Sequence, residues 1–266
     1  MENRNILDTV DSDLAERLLS RRAALGSTLT ATFALASVPL GLAALARRAF
    51  AQGPLPAQII NVLNFALTLE YLESEFYETG VATSGLIPVG EADVFDQIRK
   101  HESAHVAFLL SVLGASAVSK PTFDFTAGNG SGTGPYADVF SNYETFKAVS
   151  QAFEDTGVRA YKGQAANLMS NDAILRAALQ IHSVEARHAS EVRRLRGLDG
   201  WITQAFNNIP GADAVYADED AVRQFGISVP GITPVPRDEI TEAFDEPLSM
   251  GKVLAIVAPF IVGSNP

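Results

Sequence analysis

Glu102-Ser103-Ala104-His105 and Glu185-Ala186-Arg187-His188 are the stretches on which the fold turns. Each sets an imidazole three residues after a carboxylate, and each runs on to a glycine nine residues past its histidine, Gly114 and Gly197. Upstream of each lies an apolar segment that carries one acid. Glu70 stands thirty-two residues before Glu102 and is followed seven later by Tyr77. Glu154 stands thirty-one before Glu185 and is followed seven later by Tyr161. The chain therefore holds two copies of one unit, a Glu helix and then a Glu-x-x-His helix. At 3.6 residues per turn, positions i and i+3 lie about 60° apart, so the Glu and His of a pair reach one point. Core stripes carry Leu or Ile by default, yet Glu70 sits among Leu67, Leu69 and Leu72, and Glu154 beside Phe153. Four carboxylates in a bundle core are prohibitively costly without cations. Carboxylate oxygen combined with imidazole nitrogen suits iron or manganese better than magnesium or calcium. The pattern predicts a site for two metal ions built from Glu70, Glu102, His105, Glu154, Glu185 and His188, with iron preferred and manganese the alternative.

The surrounding sequence predicts helices over 54–79, 91–113, 142–169 and 173–196. Gly80 to Gly90 reads as a loop, Gly114 and Gly197 as stops, and Ser170-Asn171-Asp172 as a tight capped connection. A Gly/Ser/Thr/Pro-rich crossover runs from Ala115 to about Asp138, with a short extended piece at 122–125. Residues 198–266 are rich in Pro and Gly, with helical pieces expected at 218–225 and 249–262. Two helices, a long crossover and two more helices make an all-α, ferritin-like four-helix bundle. The expected division is 1–51 as export signal or anchor, 52–197 as the bundle and 198–266 as an extension packing on it. The apolar run Val253 to Val257 is read as packing on the chain's own core, with an interface to a second copy as the rival.

Several side chains compete for roles. Glu73 and Glu75 rival Glu70, but only Glu70 keeps the tyrosine spacing of the other half. His101 points about 100° from Glu102, which makes it a surface residue or a partner behind the ligands. His182, one turn before Glu185, is expected to hydrogen-bond a ligand rather than to bind metal. Tyr77 and Tyr161 read as core residues with one hydrogen bond, or as gating or redox tyrosines near the metals.

The pattern resembles the ferritin-like superfamily. The wording around it is most similar to the ferritin-like desiccation-related proteins: Asn64-Phe65-Ala66-Leu67-Thr68-Leu69-Glu70-Tyr71-Leu72-Glu73, Phe153-Glu154-Asp155-Thr156-Gly157, Val184-Glu185-Ala186-Arg187-His188 and Phe244-Asp245-Glu246-Pro247-Leu248. The resemblance runs from about Leu55 to the C-terminus. It implies that Glu102 and Glu185 bridge two metal ions while Glu70 and Glu154 are terminal ligands.

Composition narrows the function. The 266 residues carry a net charge of −11, with no basic stripe to displace counterions, so a nucleic-acid partner is not expected. With no cysteine, thiolate metal sites, disulfides and thiol catalysis are excluded. Ahead of the bundle stand Ser20-Arg21-Arg22, an apolar stretch from Ala23 to Ala46, Arg47-Arg48 and Ala49-Phe50-Ala51. This resembles a twin-arginine export signal with a small-x-small cleavage site after Ala51, although Ala23-Ala24 replaces the usual aromatic. The expectation is a periplasmic protein, and an N-terminal membrane anchor if the segment is retained. The expected activity is Fe(II) oxidation or peroxide removal, with O2 or peroxide as partner. The alternative is a non-catalytic, stress-associated metal-binding protein. Bulky additions at both ends argue against a storage cage.

Overall fold

A computed structural model describes residues 55–264, so the expected export signal lies outside the described residues. Four long helices dominate: α1 (Ala57–Ala82), α2 (Ala92–Leu113), α3 (Tyr143–Gln164) and α4 (Asp172–Leu195). α1 packs along α2, and α3 along α4. Pro56 precedes the first turn of α1, where a missing N–H costs nothing. Asn142 caps α3 by accepting from the Glu144 N–H at 3.0 Å, and Asn171 caps α4 by accepting from Ile174 N–H at 3.1 Å. Asp172 in the first turn of α4 and Arg193 and Arg194 in its last complement the helix dipole. Gly114 (φ +52°) and Gly197 (φ +73°) end the two Glu-x-x-His helices in backbone conformations that suit glycine.

Two expectations are corrected here. Gly80 does not end α1, which continues to Ala82. A methyl carbon on Gly80 would overlap the Phe146 ring, so the glycine serves helix packing rather than helix termination. Gly80→Ala is expected to destabilise the fold by about 1–3 kcal/mol, because overpacking outweighs the gain in helix propensity. A urea titration showing an unchanged or raised midpoint would contradict this. The second correction concerns 218–225, which is not helical. Arg223–Gln224 (β1) pairs antiparallel with Ile227–Ser228 (β2) across a turn in which Phe225 and Gly226 take positive φ. A six-residue helix, α5 (Arg237–Glu242), escaped the sequence reading, whereas α6 (Met250–Val257) falls within the expected 249–262. The extended piece at 122–125 forms one antiparallel bridge, Phe123 to Ile261.

The core consists of two apolar clusters stacked along the bundle. One gathers Phe76, Phe95, Phe146, Phe153 and Val192 with Tyr216, Leu248, Val253 and Phe260 from the C-terminal extension. The other gathers Ile59, Leu63, Phe108, Leu109, Ile174 and Ile181. On α2 the clusters are separated by Glu102 and His105, and on α4 by Glu185 and His188. The extension is locked down by Arg159 of α3, which is wholly buried. Its Nε donates to Glu246 O at 2.7 Å and pairs with Glu219 Oε1 at 2.8 Å, while its Nη groups donate to the carbonyls of Val215 and Ala217. Val253 and Val257 point into the chain's own core. Among the described residues no helix is long and apolar enough to cross a membrane.

Candidate metal centre

The six expected side chains meet at mid-bundle, all buried. They form two groups able to hold a metal ion: Glu70, Glu102, His105 and Glu185, and Glu102, Glu154, Glu185 and His188. Glu102 and Glu185 belong to both, as bridging residues must. The arrangement has two-fold regularity. His105 Nδ1 lies 3.2 Å from Glu70 Oε2, 3.2 Å from Glu102 Oε2 and 3.0 Å from Glu185 Oε1. His188 Nδ1 lies 3.2 Å from Glu154 Oε2, 3.2 Å from Glu185 Oε2 and 3.0 Å from Glu102 Oε1. Adjacent donors on an ion with ligand bonds of about 2.1 Å stand roughly 3 Å apart, so these separations are those of a coordination sphere. Glu102 Oε1, Glu154 Oε2 and Glu185 Oε1 are buried and accept no well-formed hydrogen bond. Such orphaned oxygens are costly unless something else satisfies them, and a cation does. The donor set fits a pair of metal ions.

The nest's carboxylates and imidazoles divide their protons unevenly. Burial raises Glu70 and Glu154 to about 8, against the pull of the neighbouring histidines. Burial also opposes ionisation of Glu102 and Glu185, but His105 and His188 outweigh it and hold both carboxyls below their ordinary value. The histidines respond in kind. Burial disfavours their charged forms, yet the surrounding carboxylates raise both well above the usual imidazole range.

The tyrosines do both jobs foreseen for the core reading: they pack in the core and each makes one hydrogen bond, across the two halves. Tyr77 donates to Glu154 Oε1 at 2.6 Å, and Tyr161 donates to Glu70 Oε1. Each pins the outer oxygen of a carboxylate whose other oxygen faces the nest. His182 departs from expectation: among the described residues it makes no hydrogen bond to any of the six, and its Nε2 is buried without a partner. That role falls to His101, whose Nδ1 lies 2.8 Å from His188 Nε2 with the rings stacked, and whose Nε2 reaches Gln97. Its angle on α2 aims it away from Glu102, but its partner lies on α4. Glu75 pairs with Lys120 at the surface. Glu73 joins neither group of ligands yet is buried beside them.

The surroundings of the two positions differ. An open groove lined by Asp93, Gln97, His101, Arg187, His188 and Glu191 leads to the His188 side. Beside Tyr161, on the His105 side, lies an apolar cavity of about 20 Å³ lined by Leu63, Ala66, Leu69, Phe108 and Ala178 among others.

Helices in two Glu and Glu-x-x-His pairs around a buried acid nest define a helical bundle of the carboxylate metal-binding class. Residues 58–198 match the ferritin-like domain family, and since that stretch is more than half of the chain and contains all six nest residues, the chain belongs to this family. A comparison with curated proteins found no match.

Proposed function

We propose that the nest holds two iron ions and that the protein is an exported oxidoreductase acting on Fe(II) with O2 or peroxide. The observation that carries this reading is the trio of buried carboxylate oxygens without hydrogen-bond partners, two of them on Glu102 and Glu185, which belong to both groups. A bound iron pair supplies electron transfer to O2 or peroxide. The chain supplies the rest. Glu102 and Glu185 span the two positions, His105 and His188 each present Nδ1 to one, and Glu70 and Glu154 close the ends. Tyr161 and Tyr77 hold the far oxygens of those end carboxylates, so either can swing on its tyrosine to clear a position for oxidant. His101 fixes the ring of His188 and lines the groove to solvent. The likeness of the flanking sequence to desiccation-related proteins supports a role in stress, and the twin-arginine-like segment supports export. Gln52 as the mature N-terminal residue is the expected sign of cleavage, and Met1 overturns it.

Metal uptake displaces the protons bound to the ligands of the nest. At pH 7 Glu70 and Glu154 are neutral and His105 and His188 are charged, so loading two ions releases roughly four protons per chain. The sign follows: apparent affinity rises as pH climbs towards about 8 and falls in acid, where the ligands are harder to deprotonate. Anaerobic Fe(II) titration with elemental analysis and pH-stat recording tests both numbers. Uptake of no metal, or uptake without proton release, sinks the centre. Two ions with no more oxidation of Fe(II) or consumption of peroxide than a Glu102→Ala, Glu185→Ala control sinks the oxidoreductase.

A further inference from the structure

Glu73 has no counterpart in the other half of the molecule. The repeat that carries Glu70 onto Glu154 carries Glu73 onto Gly157. Glu73 is only 4 % exposed. Among the described residues no cation pairs with its carboxylate, and the charges that act on it most are those of Glu154, Glu102, Glu185 and Glu70. A buried acid in the field of four others is the kind of feature a fold retains only with something positive nearby. Gly157 makes the space for it. A methyl carbon there would stand 3.3 Å from Glu73 Oε1 and 3.7 Å from Glu185 Cγ. Glycine inside a helix costs about 1 kcal/mol relative to alanine, and here it leaves Glu73 its place beside the nest.

We infer that Glu73 is a seventh side chain of the metal centre, a reserve carboxylate that favours trivalent over divalent ions. The inference rests on the dinuclear reading above and adds to it a preference between charge states. Two divalent ions bring four positive charges, which the four carboxylates of the nest neutralise. Two trivalent ions bring six. Glu73 offsets part of the excess from inside the low-dielectric core, where one charge counts for far more than at the surface. It stands outside both groups of ligands, so the divalent pair is complete without it. Among the buried acids of the two copies the regularity breaks at Glu73, and its added negative charge suits the pair of higher charge.

Redox-inert probes separate charge from chemistry. The full chain is titrated with Zn(II) and with Ga(III), each against a competing chelator, and the ratio of the two affinities is compared between wild type and Glu73→Gln. The expected result is a fall in the Ga(III)/Zn(II) ratio on the order of tenfold to a hundredfold, with two Zn(II) still bound per chain. Gly157→Ala keeps Glu73 but takes its space. It is expected to lower the ratio in the same direction, and it stands in if Glu73→Gln does not fold. A ratio unchanged in both variants, or an equal loss for both ions, overturns the role of Glu73 while leaving the dinuclear centre intact. A wild-type chain that binds neither pair overturns the centre itself, and this inference with it.

Discussion

Glu102→Ala is expected to cut bound iron from about two ions per chain to one or none, with affinity falling more than about a hundredfold. Removal of a residue that only orients a ligand costs ten- to a hundredfold, and Glu102 contributes an oxygen to both groups. The variant also leaves His105 and His188 each without one of its three carboxylate neighbours. Two readouts separate this from general damage. In the wild type, iron that binds the folded chain and not the unfolded one should raise the melting temperature. In Glu102→Ala that metal-dependent rise should vanish, while the metal-free protein still melts cooperatively. Glu75→Ala, on the surface beside Lys120, is the matched control and should retain two ions. A Glu102→Ala chain that binds two ions with wild-type affinity would remove the bridging role.

The second large effect lies outside the centre. Arg159→Met is expected to destabilise the protein by about 3–5 kcal/mol, the usual result of removing one partner of a buried ion pair. Glu219 is left in the core, where burial already raises its carboxyl to about 7 against the pull of Arg159. Without Arg159 that carboxyl is pushed higher still. Above about pH 7 the wild type keeps a paired carboxylate, while the variant must hold the group protonated or bury its charge unpaired. The loss should therefore be larger at pH 8 than at pH 6. The carbonyls of Val215, Ala217 and Glu246 lose their donor as well. In a domain of this size the cost appears as a fall in Tm of about 10 °C. Arg159→Met with Glu219→Leu should recover part of it, because no charge remains buried. Calorimetry at the two pH values checks both statements, and a fall in Tm that is no greater at pH 8 than at pH 6 counts against the stranded carboxylate.

The parts of the fold legible in the sequence are those where one residue type has one physical meaning. Glu-x-x-His followed by glycine gave α2 and α4 their faces and their ends, and Asn171 marked the start of α4. Gly80 misled because a glycine in a helix signals either a stop or a close approach, and the Phe146 ring that settles the matter lies sixty-six positions away. Residues 218–225 misled because Asp218-Glu219-Asp220-Ala221 favours helix locally, while Glu219 is claimed by Arg159 and the chain turns at Phe225 and Gly226. At the centre the six nest residues followed from internal symmetry. For His101 the sequence leaves open a surface position or a place behind the ligands, and the choice depends on His188 of another helix. In the sequence Glu73 reads only as a rival to Glu70, since symmetry favours one acid per copy and cannot announce a position where the copies differ.

The crossed bonds at the centre bear on how the two copies relate. Tyr77 of the first holds Glu154 of the second, Tyr161 of the second holds Glu70 of the first, and the close contacts of Glu102 with His188 and of Glu185 with His105 cross the same divide. Every side chain in the nest thus leans on its opposite number. Neither copy owns a site; the site exists in their handshake, and one copy alone would need a twin to assemble it. A change in one half is therefore felt in the other, which couples the two groups of candidate ligands.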